Sequence, residues 1–175
     1  MLGEMNSSST SRPAALRLAT VTDVPVILEF IRLLAAYEKL SQNVIATEDS
    51  LREYLFGARP FAEVLLAEQD GRAVGFALFF PAFSTFVGRP GIYLEDLYVR
   101  EEVRGKGVGR QLLSHLARLT VERGWGRLDW AVLDWNAPAI AFYNKLGAQM
   151  LTDWRICRLT GPALEALAGD GRGSR

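Results

Sequence analysis

The sequence has very few residues of the two types that most often hold metals or form disulfides. Among its 175 residues there is one cysteine, Cys157, and one histidine, His115. A single cysteine excludes an internal disulfide, and one Cys with one His cannot assemble a metal site. His115 falls within a predicted helix among surface-type residues, which argues against a hydrolase with a histidine base. We therefore expect no bound metal and a reducing compartment, the cytoplasm.

An excess of charge of either sign is also missing. The 20 basic and 20 acidic residues cancel, so the chain lacks the basic surplus that nucleic acid or an anionic membrane attracts. No apolar run has the length of a membrane span, and residues 1–12 lack the hydrophobic core of a signal peptide. We expect a soluble protein, with no nucleic-acid or membrane partner, that acts on a small neutral or cationic molecule.

Length and composition favour one folded domain. Residues 1–13 are rich in serine and have little to bury, which predicts a disordered tail. Residues 14–160 are long enough for a substantial core and are predicted to form the single domain. From residue 161 the composition turns to Gly, Ala and charge, so residues 161–175 are predicted to be a C-terminal tail that frays from about residue 168.

Apolar alternation predicts strands, and helical spacing with capping residues predicts helices. The Asp-Gly pair at 70–71 predicts a tight hairpin, because this pair tolerates positive φ. The strand that begins at Gly91 runs into a helix and then a further strand, a right-handed crossover that makes those two strands parallel. The predicted strands cover residues 15–19, 61–68, 73–80, 91–100 and 127–135, with a last hairpin at 148–159; the predicted helices begin at residues 23, 47, 107 and 136.

The centre of this pattern is a glycine-rich loop, RGKGVG at 104–109, between a strand and a helix. Glycines on alternate positions let backbone N–H groups approach an anion at a helix N-terminus. A Walker A loop is excluded because Gly107 follows Lys106, and the dinucleotide fingerprint fits poorly because position 110 is arginine. Two interpretations remain at this point, an anion-binding loop and a turn that only connects strand to helix.

Carboxylates stand in two places where a cationic substrate could be bound. Glu95 and Asp96 interrupt the strand before the loop; in a regular strand they would point to opposite faces, so we expect only one of them to face a cleft. Tyr37 and Glu38 end the first helix, where they either contact a substrate or form a solvated helix end. Tyr143, in the helix after Asn136, is by itself typical of a packing residue.

Several motifs together resemble the GNAT superfamily of acetyl-CoA-dependent N-acetyltransferases. Arg-x-x-Gly-x-Gly opens a helix directly after a strand, and DWNAPAIAFYNKLGA is similar to the family's final cofactor motif. The closer resemblance, over residues 15–160, is to the diamine acetyltransferases of the spermidine/spermine and thialysine types. It implies an α/β fold of the α+β type: a central, mostly antiparallel sheet with one splayed parallel strand pair and helices on both faces.

The resemblance also implies acetyl-CoA as the cofactor. In such enzymes the loop binds the pyrophosphate of coenzyme A, amides of the first parallel strand bind the pantetheine arm, and the residue matched by Asn136 contacts that arm. The implied cofactor-binding residues are Leu97, Tyr98, Val99, Arg104, Gly105, Lys106, Gly107, Val108, Gly109, Arg110, Asn136, Ala137, Pro138, Ala139 and Tyr143.

The same resemblance assigns the chemistry. Tyr143 would be the general acid for the sulfur of coenzyme A, and Glu95 the base that deprotonates the amine, directly or through water. Tyr37, Glu38 and Glu95 would bind the substrate amine. Transfer would be direct, in a ternary complex and without an acyl-enzyme, and such enzymes are usually homodimers.

The chain departs from the polyamine-acetylating pattern where substrate charge is read. Lys39 and Ser41 follow Glu38 where those enzymes are more acidic, and Phe86 stands in a loop that is acidic there. We therefore expect a shorter amine, or an amino acid with a side-chain amine, rather than spermine. A protein or peptide amine is the alternative substrate, and a non-catalytic acyl-CoA-binding module is the alternative function.

Overall fold

The computed structural model describes residues 13–170. The predicted N-terminal tail therefore lies outside the described residues apart from Pro13, and so do residues 171–175 of the predicted C-terminal tail. The chain divides into two compact units, with the boundary between Ala131 and Val132. Within the described residues, no helix combines the length and the apolar character needed to cross a bilayer.

The first unit contains five strands and three helices, with short 3₁₀ turns between them. Thr47 caps the second helix as expected, since its hydroxyl accepts a hydrogen bond from the Ser50 amide. The elements in chain order are β1 Ala15–Leu18, α1 Val24–Tyr37, α2 Glu48–Phe56, β2 Glu63–Gln69, β3 Arg72–Ser84, β4 Arg89–Val99, α3 Val108–Glu122 and β5 Leu128–Trp130.

The five strands form one sheet in the order β1-β2-β3-β4-β5. Neighbours are antiparallel except β4 and β5, which run parallel. The predicted hairpin turn is present: Asp70 and Gly71 have φ of 51° and 75°, and they alone separate β2 from β3. The mostly antiparallel sheet with one parallel pair confirms the expected fold class.

Helices cover both faces of this sheet. On one face, Phe30 of α1 stacks on Phe76 of β3 with ring centres 5.1 Å apart. On the other face, α3 approaches β3 at Gly75, where an added Cβ would lie 3.3 Å from the Val108 side chain and 3.4 Å from that of Leu112. The small residue at position 75 thus allows α3 to pack close to the sheet.

The parallel pairing of β4 with β5 is short. It joins Ile92 to Leu128 and ends at Leu94, which pairs with Trp130. The sequence predicted a longer strand over residues 127–135, but the observed strand stops at Trp130. β4 itself continues to Val99 beside β3, so its last five residues extend past the parallel ladder. This is the splayed parallel pair that the sequence predicts.

The second unit contains two helices, α4 Ala137–Lys145 and α5 Gly161–Asp170. The predicted hairpin over residues 148–159 is wrong, because those residues form no strand. Alternating apolar residues supply strand propensity, but a strand also needs a partner for its backbone N–H and C=O groups. α5 lies within the predicted C-terminal tail and continues to Asp170.

Candidate active site

A β-bulge at Glu95 determines how β4 presents its carboxylates. On β3 the neighbours Leu78 and Phe79 pair with Asp96 and Leu94, so Glu95 is the extra residue of β4. A bulge interrupts the alternation of side chains between the faces. The expectation that Glu95 and Asp96 point to opposite faces assumed a regular strand, and the strand is irregular at this place.

The bulge places Asp96 on the α1 face of the sheet. Asp96 pairs with Leu78, and two residues later Tyr98 pairs with Phe76, which packs against α1. Burial, followed by the negative charges of Glu95 and Glu38, raises the pKa of Asp96 to about 6. Glu95, by contrast, is exposed. Glu95 and Glu38 therefore each lie within electrostatic range of Asp96.

The third carboxylate, Glu38, is fixed by the turn that ends α1. The Lys39 amide donates to the carbonyl of Ala36, and the Leu40 amide donates to that of Ala35. Lys39 adopts a positive φ of 61°, so the helix closes with a Schellman turn that has lysine where glycine is usual. Burial raises the pKa of Glu38. The helix end is therefore an ordered structure with a half-buried carboxylate.

Two amides of β4 point away from β3 beyond the parallel ladder. The Arg100 amide donates to the Val74 carbonyl at 2.9 Å, and alternate residues of an antiparallel strand direct their N–H groups to the same side. The Tyr98 amide therefore faces β3, whereas those of Leu97 and Val99 face the opposite edge. Of the three amides expected to bind pantetheine, these two have the suitable direction.

The loop that follows β4 leads into α3 through two glycines with positive φ. Gly105 and Gly107 have φ of 75° and 89°, and an added Cβ at either would have no atom within 4 Å. Gly107 is the N-cap of α3 and has no side chain to accept from the first helical amides, and the Gln111 amide makes the first bond back to it. The N–H groups of Val108, Gly109 and Arg110 thus form an uncapped helix N-terminus, which suits the pyrophosphate of coenzyme A.

Three basic residues, Arg104, Lys106 and Arg110, lie in this loop or in the first turn of α3. Arg104 donates through Nε to the Val99 carbonyl at 2.9 Å and through Nη1 to Glu101 at 3.4 Å. The ammonium of Lys106 donates to the Glu102 carbonyl at 3.1 Å. Arg110 lies in the first turn of α3 and is exposed. Their positive charges complement an anion at the helix N-terminus.

The second unit holds the remaining predicted residues. Asn136 caps α4, as its side-chain oxygen accepts a hydrogen bond from the Ala139 amide at 3.3 Å, and Ala137 and Pro138 begin the helix. Tyr143 lies two turns further along the same helix and is buried, with its ring centre 5.3 Å from that of Phe142. The predicted helix start is confirmed in detail.

Residues 30–148 match the family described as the acetyltransferase (GNAT) family. The chain belongs to this family. The matched range includes Glu38, Glu95 and Asp96, the glycine loop, Asn136 and Tyr143. GNAT acetyltransferases use acetyl-CoA as co-substrate, and the chain is accordingly an acetyltransferase.

Relatives of this GNAT chain include enzymes named for small amines. It is 42% identical over 165 residues to the thialysine N-epsilon-acetyltransferase of Bos taurus, covering 88% of this chain and 96% of that one. It is 36% identical over 197 residues to the L-ornithine N5-acetyltransferase of Arabidopsis thaliana, covering 87% and 86%. A solved integron cassette protein from the mobile metagenome of V. cholerae has a TM-score of 0.75 at 27% identity, covering 90% and 99%.

Asp96 is the residue of this GNAT site whose importance the sequence did not reveal. Only one of the two carboxylates was expected to face the cleft, and the family resemblance assigned the base to its neighbour Glu95. The signal that makes Asp96 notable is its burial beside two other carboxylates, and burial of this kind depends on the bulge and on α1, which are far apart in sequence. Two adjacent acidic residues in a predicted strand do not by themselves indicate that one of them is buried.

Proposed function

We propose that this acetyltransferase transfers the acetyl group of acetyl-CoA to a primary amine of a small molecule. The observation that carries the proposal is the cluster of Glu38, Glu95 and Asp96 beside the point where the parallel ladder ends. A protonated amine is a cation at neutral pH, and a cluster of carboxylates favours its binding. The amine would then lie next to the β4 amides that suit pantetheine.

The coenzyme is assigned to backbone amides that point away from β3 and to basic side chains beside the glycine loop. The amides of Leu97 and Val99 would bind the pantetheine arm, and the uncapped α3 N-terminus with Arg104, Lys106 and Arg110 would bind the pyrophosphate. Acetyl-CoA supplies the acetyl group as a thioester. The backbone amide of Tyr98 faces β3 and cannot bind the pantetheine arm. Only the ring of Tyr98 can therefore contribute to the site.

Deprotonation of the amine is assigned to Glu95. A free amine has a pKa of about 10.4, so a base must remove a proton before its nitrogen can attack the thioester carbonyl. Glu95 is exposed and sits at the bulge next to Asp96, where it can take the proton directly or through a water molecule. Attack is direct, in a ternary complex, so no side chain of this protein carries the acetyl group.

Proton supply to the departing sulfur is assigned to Tyr143. When the bond between the acetyl carbon and sulfur breaks, the thiolate of coenzyme A needs a proton, and a phenol hydroxyl can donate one. Tyr143 is buried on α4, the helix that Asn136 caps. A tyrosine kept from solvent in a position fixed by a capped helix is suited to this role.

The preferred substrate would be a short diamine or an amino acid with a side-chain amine. The bovine and Arabidopsis relatives are named for side-chain nitrogens of amino acids. In this chain Lys39 follows Glu38 directly, and its positive charge disfavours a long polycation. We therefore place thialysine, ornithine, lysine and short diamines ahead of spermine.

The experiment is a measurement of coenzyme A thiol release from acetyl-CoA with a panel of amines. The panel contains putrescine, thialysine, ornithine, lysine, spermidine, spermine and a lysine-containing peptide. Glu95→Gln and Tyr143→Phe should each lower turnover by about 10²- to 10⁴-fold. Glu122→Gln and Tyr54→Phe, which change the same groups away from the site, should leave it unchanged.

The results separate the alternatives. Release with a free amine and loss in the two site variants supports the proposal. Release with the peptide alone would establish a protein or peptide acetyltransferase. Tight binding of coenzyme A without release for any amine would establish an acyl-CoA-binding module.

The proposal extends to a cytoplasmic homodimer. In the second unit, the segment 148–160 exposes large apolar side chains, among them Leu151, Trp154 and Ile156 at 63%, 72% and 74%. A second copy of the chain that covered them would remove this apolar surface from water. Light scattering should then give twice the mass of 19.4 kDa, and a monomeric mass would contradict this part of the proposal.

A further inference from the structure

Arg104 is held on several sides at the start of the coenzyme loop. Its Nε donates to the Val99 carbonyl at 2.9 Å, and Nη1 donates to Glu101 at 3.4 Å. Its guanidinium carbon lies 4.7 Å from the ring centre of Tyr37 and 5.2 Å from that of Tyr98. Two hydrogen bonds and two aromatic rings therefore fix the orientation of this side chain.

These contacts connect two parts of the site that the sequence treats separately. Tyr37 ends α1 and stands beside Glu38, on the side assigned to the amine. Val99 and Tyr98 belong to β4, and Glu101 belongs to the turn after it. Arg104 thus joins the amine side to the strand and loop assigned to coenzyme A.

The rings contribute more to this orientation than the ion pair does. The side chains of Arg104 and Glu101 are 37% and 73% exposed, and an exposed ion pair stabilises very little. Tyr98 is buried, and Tyr37 is half-buried. Planar contact with partly buried rings restricts the guanidinium where a solvated carboxylate does not.

The two glycines of the loop beyond Arg104 contribute no side-chain contacts to its position. Gly105 and Gly107 both have positive φ and no neighbouring atoms near a would-be Cβ, so side chains of these two residues do not pack the loop in place. Arg104 is therefore the side chain that ties the start of the loop to the end of β4, and Lys106 and the buried Val108 hold the part that follows.

We infer that Tyr37 is a positioning residue for the coenzyme loop and acts through the guanidinium of Arg104. The inference rests on the proposed function, because it takes the loop to be the coenzyme site. Without the Tyr37 ring, the guanidinium gains rotamers that give up its hydrogen bond to the Val99 carbonyl. Coenzyme affinity then falls, although Tyr37 lies on the amine side of the site.

The test measures the Kd of coenzyme A by isothermal titration calorimetry in a double-mutant cycle. Tyr37→Leu should weaken binding about two- to fivefold, the range expected for one cation–π contact. Tyr37→Phe keeps the ring and should bind as the wild type does. In the Arg104→Gln background, Tyr37→Leu should have no further effect. Tyr54→Leu, which removes an exposed ring elsewhere, is the matched control.

Kinetics supply a readout that a general loss of structure would not reproduce. Tyr37→Leu should raise the KM for acetyl-CoA by about the same factor as the Kd of coenzyme A, and this rise should be absent in the Arg104→Gln background. Equal Kd values for wild type and Tyr37→Leu, or the same loss of affinity with and without Arg104, would overturn the inference. Failure of the wild type to bind coenzyme A would instead refute the proposed function.

Discussion

The folded structure disfavours the ionised form of the Asp96 carboxyl group. Its pKa is raised from 3.8 to about 6 by burial, and further by the charges of Glu95 and Glu38. Between about pH 4 and pH 6 the folded chain therefore holds a proton that the unfolded chain has lost. More protons bound in the folded state means that stability falls as the pH rises through this window and stays lower above it.

Replacement of Asp96 by asparagine should remove this pH dependence. At pH 8, Asp96→Asn should raise the free energy of unfolding by about 2 to 3 kcal/mol, at roughly 1.4 kcal/mol for each pKa unit, because asparagine cannot ionise. At pH 4 the two proteins should be nearly equal. Urea unfolding at both pH values measures the difference.

The control for this prediction is Asp153→Asn, which changes an exposed aspartate. It should alter the unfolding free energy little at either pH. The pKa of Asp23, lowered to about 2 chiefly by its hydrogen bond from Arg17, gives stability that is lost only as the pH falls from about 4 toward 2, and it is common to all three proteins. An Asp96→Asn effect of the same size at pH 4 and pH 8 would contradict the raised pKa.

Among the elements, the glycine loop proposed to bind coenzyme A depends on the backbone conformation of Gly107. This residue has φ of 89° and is the N-cap of α3. An added Cβ would meet no neighbour, so an alanine here fits the space but disfavours the backbone conformation. The strain falls directly on the start of the helix whose first amides are proposed to bind the pyrophosphate.

Gly107→Ala should lower the free energy of unfolding by about 1 to 2 kcal/mol, the usual cost of a left-handed conformation for a residue with a Cβ. It should also weaken coenzyme A binding, because relief of the strain rotates the amides of Val108 and Gly109. Thermal unfolding and calorimetric titration measure the two effects. Gly169→Ala in α5, which has a negative φ and open space, should not weaken binding. Equal affinity of Gly107→Ala and wild type would contradict the role of this backbone.

Elements with local signals could be predicted from the sequence. The Asp70-Gly71 hairpin, the Thr47 cap and the Asn136 cap each depend on residues within a few positions of one another, and each is present. The order of strand, glycine loop, helix and strand predicted the parallel pair, and several motifs together indicated the family. These features follow from backbone preferences that neighbouring residues determine.

Features that depend on distant partners could not be predicted. The bulge at Glu95 arises from the register between β3 and β4, and it changes which face Asp96 occupies. The contact of Arg104 with Tyr37 joins residues far apart in the chain. The hairpin expected at 148–159 had the right alternation but no strand partner, and the helix Gly161–Asp170 was not predicted.

Over the whole chain the basic and acidic residues cancel, but near the proposed site negative and positive side chains lie in separate places. Glu38, Glu95 and Asp96 lie together on the side assigned to the amine, whereas Arg104 and Lys106 lie at the loop assigned to coenzyme A. A neutral protein can therefore attract two substrates of opposite charge to adjacent places. Such attraction acts on the rate of encounter and weakens with salt.

This arrangement predicts that a diamine is preferred to a monoamine of equal length. Because a second ammonium group gains about 1 kcal/mol near a partly exposed carboxylate, kcat/KM for cadaverine should exceed that for pentylamine about fivefold at 20 mM salt and less at 200 mM. Glu38→Gln should reduce this ratio, whereas Glu122→Gln, far from the cluster, should not. If Glu38→Gln left the ratio and its salt dependence intact, the second charge would be recognised by other residues, and the acidic end of α1 would have no part in selecting the amine.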